Sequence, residues 1–111
     1  MSRPSSARWL ATLGALLVGC APSFATAQTA PSERQVRTWA ASCAACHNTE
    51  GRSVGGMPML AGRNADDLYR ALIEFRTGKR PATVMHQHAR GYTEDELRRI
   101  ADWFAAVKTA R

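Results

Sequence analysis

Residues 41–47 read Ala41-Ser42-Cys43-Ala44-Ala45-Cys46-His47. Two thiols three positions apart, with an imidazole directly after the second, form the pattern through which c-type haem is attached. On a helix, positions 43 and 46 lie about one turn apart, so both sulfurs reach one edge of a porphyrin as thioethers. His47 then sits beside that edge, where its ring can swing under the iron as an axial ligand. The same residues also suit a redox disulfide, or half of a zinc site with an incidental histidine. Haem is the reading that the rest of the chain supports, because it supplies what haem needs and little that the rivals need.

Outward from the motif toward the N-terminus, the chain changes character. Arg3 and Arg8 form a basic segment, residues 9–18 an apolar one, and small residues follow. This is the layout of a secretory signal peptide, and the apolar run is too short to span a bilayer stably. Two processing sites compete. Ala25-Thr26-Ala27 is a small-x-small site behind Pro22, whose use gives a signal at 1–27 and a domain at 28–111. Leu17-Val18-Gly19-Cys20 resembles a bacterial lipobox, in which Cys20 is acylated and anchors the domain to a membrane. The expected location is the periplasm, with membrane attachment only through a lipidated Cys20.

The 111 residues carry 15 Lys and Arg against 9 Asp and Glu, a formal net charge of +6, which falls to +4 without Arg3 and Arg8. Such a length bounds the chain to one small domain, in which a covalently tied apolar disc would act as a staple. Basic character suits docking to an acidic partner. A nucleic-acid role would need that charge concentrated on one face, and export argues against it. Arg76, Lys79 and Arg80 form the cluster to watch, although a solvated face accounts for most such charges.

The apolar periodicity is helical, with no alternating run of strand length. Ser32 with Gln35 reads as a capping box opening a helix from residue 33 to about 46, with Val36, Trp39, Ala40 and Cys43 on one face. Residues 48–63 form a glycine-rich loop, as backbone wrapped closely on a flat cofactor requires. Asn64, Asp66 and Asp67 open a second helix with Leu68, Leu72 and Phe75 on one stripe, and Gly78 ends it. A second loop runs to Tyr92. Thr93 and Glu96 then cap a last helix whose stripe is Leu97, Ile100, Ala101, Phe104 and Val107.

An iron held on one side by His47 takes either a second protein ligand or an open face. Two strong ligands suit an electron carrier; an open face suits a haem enzyme or gas sensor. Candidates for the second ligand are Met57, Met59, Met85, His86 and His88. Met85 is favoured by position, because it lies in the loop between two helices and can cross to the face opposite His47.

Taken together, Cys43-x-x-Cys46-His47, Pro58-Met59-Leu60-Ala61-Gly62, the Leu68-x-x-x-Leu72-x-x-Phe75 helix and Ile100-Ala101-Asp102-Trp103-Phe104 resemble a class I c-type cytochrome. Residues 75–85 (Phe-Arg-Thr-Gly-Lys-Arg-Pro-Ala-Thr-Val-Met), followed by Gly91-Tyr92-Thr93, resemble the haem subunit of flavocytochrome c sulfide dehydrogenase and related periplasmic dihaem cytochromes. The resemblance covers residues 33 to 108. It implies an all-α fold of about three main helices around one covalently bound haem c, since the second Cys-x-x-Cys-His of dihaem relatives is absent. It implies His47 and Met85 as the iron ligands and Pro58 as the residue whose carbonyl accepts a hydrogen bond from the proximal imidazole. Trp39 and Trp103 match an aromatic contact between first and last helices. The implied role is a carrier of single electrons with no catalytic residues of its own. Its expected partner is a redox protein, and a flavoprotein sulfide dehydrogenase is the candidate.

Overall fold

The computed structural model describes residues 29–109. The expected signal peptide at 1–27, with its alternative site at Cys20, lies outside the described residues. Four α-helices make up the described chain: α1 (Glu33–His47), α2 (Ala65–Thr77), α3 (Met85–Arg90) and α4 (Glu94–Ala106). A single 3-10 turn, Thr49–Gly51, follows α1, and no strand occurs among the described residues. The all-α class expected from the periodicity is the one observed.

Capping chemistry sets three of the four helix starts. Ser32 accepts from the Gln35 amide, which is half of the expected box. Asn64 accepts from both the Asp66 and Asp67 amides, satisfying two otherwise orphaned donors at the start of α2. Thr93 and Glu96 complete a reciprocal capping box at α4. Gly78, in the left-handed conformation at φ 78°, ends α2.

The fourth helix corrects the sequence expectation. Residues 79–92 are not one loop, because Met85 opens α3 rather than lying in irregular chain. Six residues are too few to show a 3.6-residue period, and no side chain caps the start of α3 at Val84. Local sequence therefore carried no signal for it; packing against α2 supplies the stabilisation.

α4 sits at the centre. Its Ile100, Ala101 and Phe104 cluster with Ala40 of α1 and Leu68 of α2, ringed by Trp39, Cys43, Leu60, Tyr69, Leu72, Tyr92 and Trp103. Alanines at 40 and 101 let α1 and α4 approach closely. The only large side chains fully buried among the described residues are Phe104, Leu97 and Ile100. That is a small core for a domain of this length, which is why a bound apolar group would matter to its stability.

The expected ring contact between Trp39 and Trp103 is replaced by two separate pairs. Trp39 meets Tyr92 edge-on at 6.5 Å, and Trp103 meets Phe104 at 4.9 Å. Both tryptophans still pack against the shared core.

The glycine-rich segment 48–63 folds back onto α4. Gly62 donates its amide to the Phe104 carbonyl at 2.9 Å, and the Gly51 carbonyl accepts from the Leu60 and Ala61 amides. Gly51 has φ 72°, and a Cβ placed there would lie 2.8 Å from both Leu60 Cβ and the Phe104 ring. Only glycine fits. The requirement at this position is close packing of backbone on α4.

Candidate cofactor site

α1 delivers Cys43, Cys46 and His47 together at its C-terminal end. The chain then turns sharply at Asn48, a non-glycine residue at φ 64° and ψ 170°. That conformation is almost restricted to glycine and costs on the order of 1–3 kcal/mol. The Asn48 side chain offsets part of this by accepting from the Thr49 amide at 2.8 Å. The turn sends the loop back past the histidine it has just left.

His47 is buried, at 5 % exposure, and its ring is held by one bond. Nδ1 lies 2.7 Å from the Pro58 carbonyl oxygen. A carbonyl can only accept, so the proton of the neutral ring is on Nδ1 and Nε2 presents a lone pair. Nε2 is itself buried with no hydrogen-bond partner. Leaving such a group unpaired costs about 1–3 kcal/mol. An imidazole fixed through one nitrogen, with the other bare, is the arrangement of a metal-ligating histidine and its orienting partner.

A cavity of about 220 Å³ opens beside it. Cys43, Cys46, His47, Pro58 and Met85 all line this one space, from α1, the 48–63 loop and α3. Apolar side chains close most of the rest, with Leu68, Leu72 and Phe75 from α2 and Leu97, Ile100 and Phe104 from α4. Both thiols are free, Cys43 half-buried and Cys46 exposed. Burial pushes the Cys43 thiol up. Among the described residues, no group of three or more His, Cys, Asp or Glu side chains is placed to hold a metal ion. Four protein ligands for a zinc site are therefore not assembled around Cys43 and Cys46. The donor set fits haem c: two thiols on one helix face, a bare imidazole nitrogen, a thioether and an apolar wall.

The structure also sorts the second-ligand candidates. Met57, Met85 and His88 reach the cavity, whereas Met59 and His86 do not line it. Met59 is 47 % exposed and Met57 41 %, while Met85 is half-buried. Met85 is thus the methionine held against the cavity rather than out in solvent.

Sequence reasoning missed three polar residues of the cavity wall, Ser42, Arg63 and Tyr92, whereas Arg80 belongs to the basic cluster that the sequence singles out. Tyr92 and Ser42 are joined at 2.8 Å between oxygens. Ser42 spends its own hydrogen on the Trp39 carbonyl at 2.8 Å, so the Tyr92 phenol is the donor between them. Fifty positions separate the two residues, and no local pattern marks such a pair. Arg80 is paired with Glu74 at 2.6 Å and lies 5.3 Å over the Phe75 ring. Arg76 donates from Nε to the Tyr92 carbonyl at 3.1 Å. Of the three-residue basic cluster, two members are therefore engaged in holding the fold together.

Among the described residues, no helix is long and apolar enough to cross a membrane. Comparison with known proteins agrees with the geometry. The family model for cytochrome c matches residues 34–108. The cytochrome subunit of sulfide dehydrogenase from Chlorobaculum tepidum is 44 % identical over 63 residues, 57 % of each chain. The thiosulfate dehydrogenase electron acceptor of Stutzerimonas stutzeri is 39 % identical over 69 residues, 59 % of this chain and 32 % of the relative. Cytochrome c-552 of Acidithiobacillus ferridurans is 29 % identical over 65 residues, 59 % of this chain and 28 % of the relative. The matches thus span between about a quarter and just over half of these relatives' lengths. With the attachment motif, the orienting carbonyl and the all-helical frame around an apolar cavity, the chain belongs to the cytochrome c family, as a class I c-type cytochrome.

Proposed function

We propose that this chain carries a single haem c, joined through Cys43 and Cys46 and ligated by His47 and Met85. We further propose that it works in the periplasm as the haem subunit of a flavoprotein sulfide dehydrogenase. The observation that carries the reading is the buried, unpartnered Nε2 of His47, with Nδ1 tied to the Pro58 carbonyl. When bound, the haem supplies a one-electron couple in a mostly apolar site.

The residues around that site have separable tasks. The Pro58 carbonyl holds the proton on Nδ1, fixes the ring plane and raises the basicity of Nε2. Met85 would hold the iron from the α3 side, so that its ligand set would be the same before and after electron transfer. The apolar side chains of α2 and α4 would keep water from the cofactor, and His/Met ligation would raise its potential relative to bis-histidine ligation. Arg63 and Arg80 bring positive charge to a mostly apolar wall. The relatives named for sulfide and thiosulfate dehydrogenases support a dehydrogenase as the electron donor.

Intact mass of the native protein, with its optical spectrum, tests the assignment. One haem, a low-spin six-coordinate spectrum and no carbon monoxide adduct are expected. A high-spin spectrum with ready carbon monoxide binding would instead mark an open distal site, as in a haem enzyme or gas sensor. The same mass reports whether residues 1–27 are removed or Cys20 carries lipid. Co-purification with a flavin-absorbing subunit is expected; isolation without any flavoprotein partner would overturn that part of the reading.

A further inference from the structure

Met85 does not face the cavity alone. His88 lines the same space, one helical turn further along α3, while His86 does not. Positions three apart lie on one helix face, about 5–6 Å between Cβ atoms. One short helix thus presents two iron-ligating side chain types, a thioether and an imidazole, to a single cavity.

The two ends of α3 are held unequally. At the Met85 end the cap residue is Val84, half exposed, with no side-chain cap and no acidic residue in the first turn. Ahead of that turn the Val84 carbonyl accepts from the Gln87 amide at 2.9 Å and the His88 amide at 3.2 Å. At the His88 end, Ala89 is 1 % exposed, the Gly91 amide donates to the His88 carbonyl, and the Tyr92 amide donates to the Ala89 carbonyl. Tyr92 is itself pinned by its phenol to Ser42 and by its carbonyl to Arg76. Opening of α3 from its uncapped Met85 end would leave these bonds and the buried Ala89 in place, keeping the exposed His88 beside the cavity.

The geometry points to His88 as a reserve axial ligand. When Met85 leaves the iron, the imidazole of His88 takes its place, converting His/Met into bis-histidine ligation with a lower potential. No bond other than the two to the metal is made or broken, and no electron is transferred in the exchange. The consequence is a carrier with two coordination states of different potential, selected by the first turn of α3. This inference rests on Met85 being the resting ligand.

The test is spectroscopic, on the haem-loaded protein. Met85→Ala is expected to lose the methionine-to-iron charge-transfer band yet stay six-coordinate and low-spin, with a lowered midpoint potential and no carbon monoxide adduct. Adding His86→Ala to Met85→Ala should change nothing, whereas adding His88→Ala should give a high-spin protein that binds carbon monoxide. A high-spin Met85→Ala single variant overturns the inference and leaves Met85 as the resting ligand. A low-spin Met85→Ala/His88→Ala protein overturns it too. An unchanged spectrum in Met85→Ala removes Met85 from the resting state, and both readings fall together. Should Met85→Ala lose its helical circular dichroism, the native-sequence protein is examined at guanidinium concentrations below its unfolding midpoint. There a low-spin, methionine-free species is expected, and its persistence in His88→Ala overturns the inference.

Discussion

Replacing Gly51 by alanine separates two costs that the structure makes individually predictable. Gly51 has φ 72°, and holding an alanine in the left-handed region costs about 1–2 kcal/mol. The added methyl would also stand 2.8 Å from Leu60 Cβ and 2.8 and 2.9 Å from two carbons of the Phe104 ring. Neither neighbour can retreat easily. Leu60 carries the backbone bond to the Gly51 carbonyl, and Phe104 is one of the few large side chains fully buried. Overpacking of this kind costs about 1–3 kcal/mol. Gly55 supplies the control, with φ 61° but nothing within 4 Å of an added Cβ. Gly55→Ala should therefore pay the backbone cost alone, and Gly51→Ala about 2 kcal/mol more. For a domain of this size that difference corresponds to roughly 8–16 °C in Tm. Thermal unfolding of the two haem-loaded variants, followed by far-ultraviolet circular dichroism, measures it. Equal Tm values for Gly51→Ala and Gly55→Ala would refute the packing argument and return Gly51 to the status of an ordinary loop glycine.

Further outcomes follow from other contacts. Cys43→Ser with Cys46→Ser should abolish covalent haem, seen as loss of the haem increment in intact mass under denaturing conditions. Thr93→Ala removes one half of a reciprocal capping box and should lower stability by about 1 kcal/mol in chemical denaturation. Glu74→Ala strips Arg80 of its carboxylate, but Arg80 is half exposed. The loss should therefore stay within about 1 kcal/mol and shrink as salt is added. Tyr92→Phe deletes the phenol that donates to Ser42 while Ser42 keeps its bond to Trp39. A loss of about 1 kcal/mol is expected, with haem content unchanged.

Much of the architecture is legible without coordinates because its causes are local. The boundaries of α1, α2 and α4 follow from Ser32, Asn64, Thr93 and Gly78, each acting on amides or carbonyls within a few positions. Of the stripe read for the last helix, Leu97, Ile100, Ala101 and Phe104 become buried, while Val107 lies just past the end of α4 and stays half-buried. By contrast, α3 is too short for periodicity to reveal, and the pairing of Trp39 with Tyr92 depends on where distant segments arrive. Pro58 was implied only through family resemblance. Nothing about a proline eleven positions after a histidine announces that its carbonyl will meet that imidazole.

The candidate site divides along the same line. The amino-acid sequence alone determined the chemistry: two thiols one turn apart, a histidine beside them, and a short menu of methionines and histidines for the other side. Those features depend on residue type and spacing along a helix, which neighbours in the chain decide. Only the tertiary structure decided which menu residues share the cavity, because that depends on how α3 packs against α2. It also decided the hydrogen-bond state of His47, since the strained turn at Asn48 returns the chain to place the Pro58 carbonyl 2.7 Å from Nδ1. A lone pair on Nε2, buried and unpartnered, is a property of that closure and of no residue by itself.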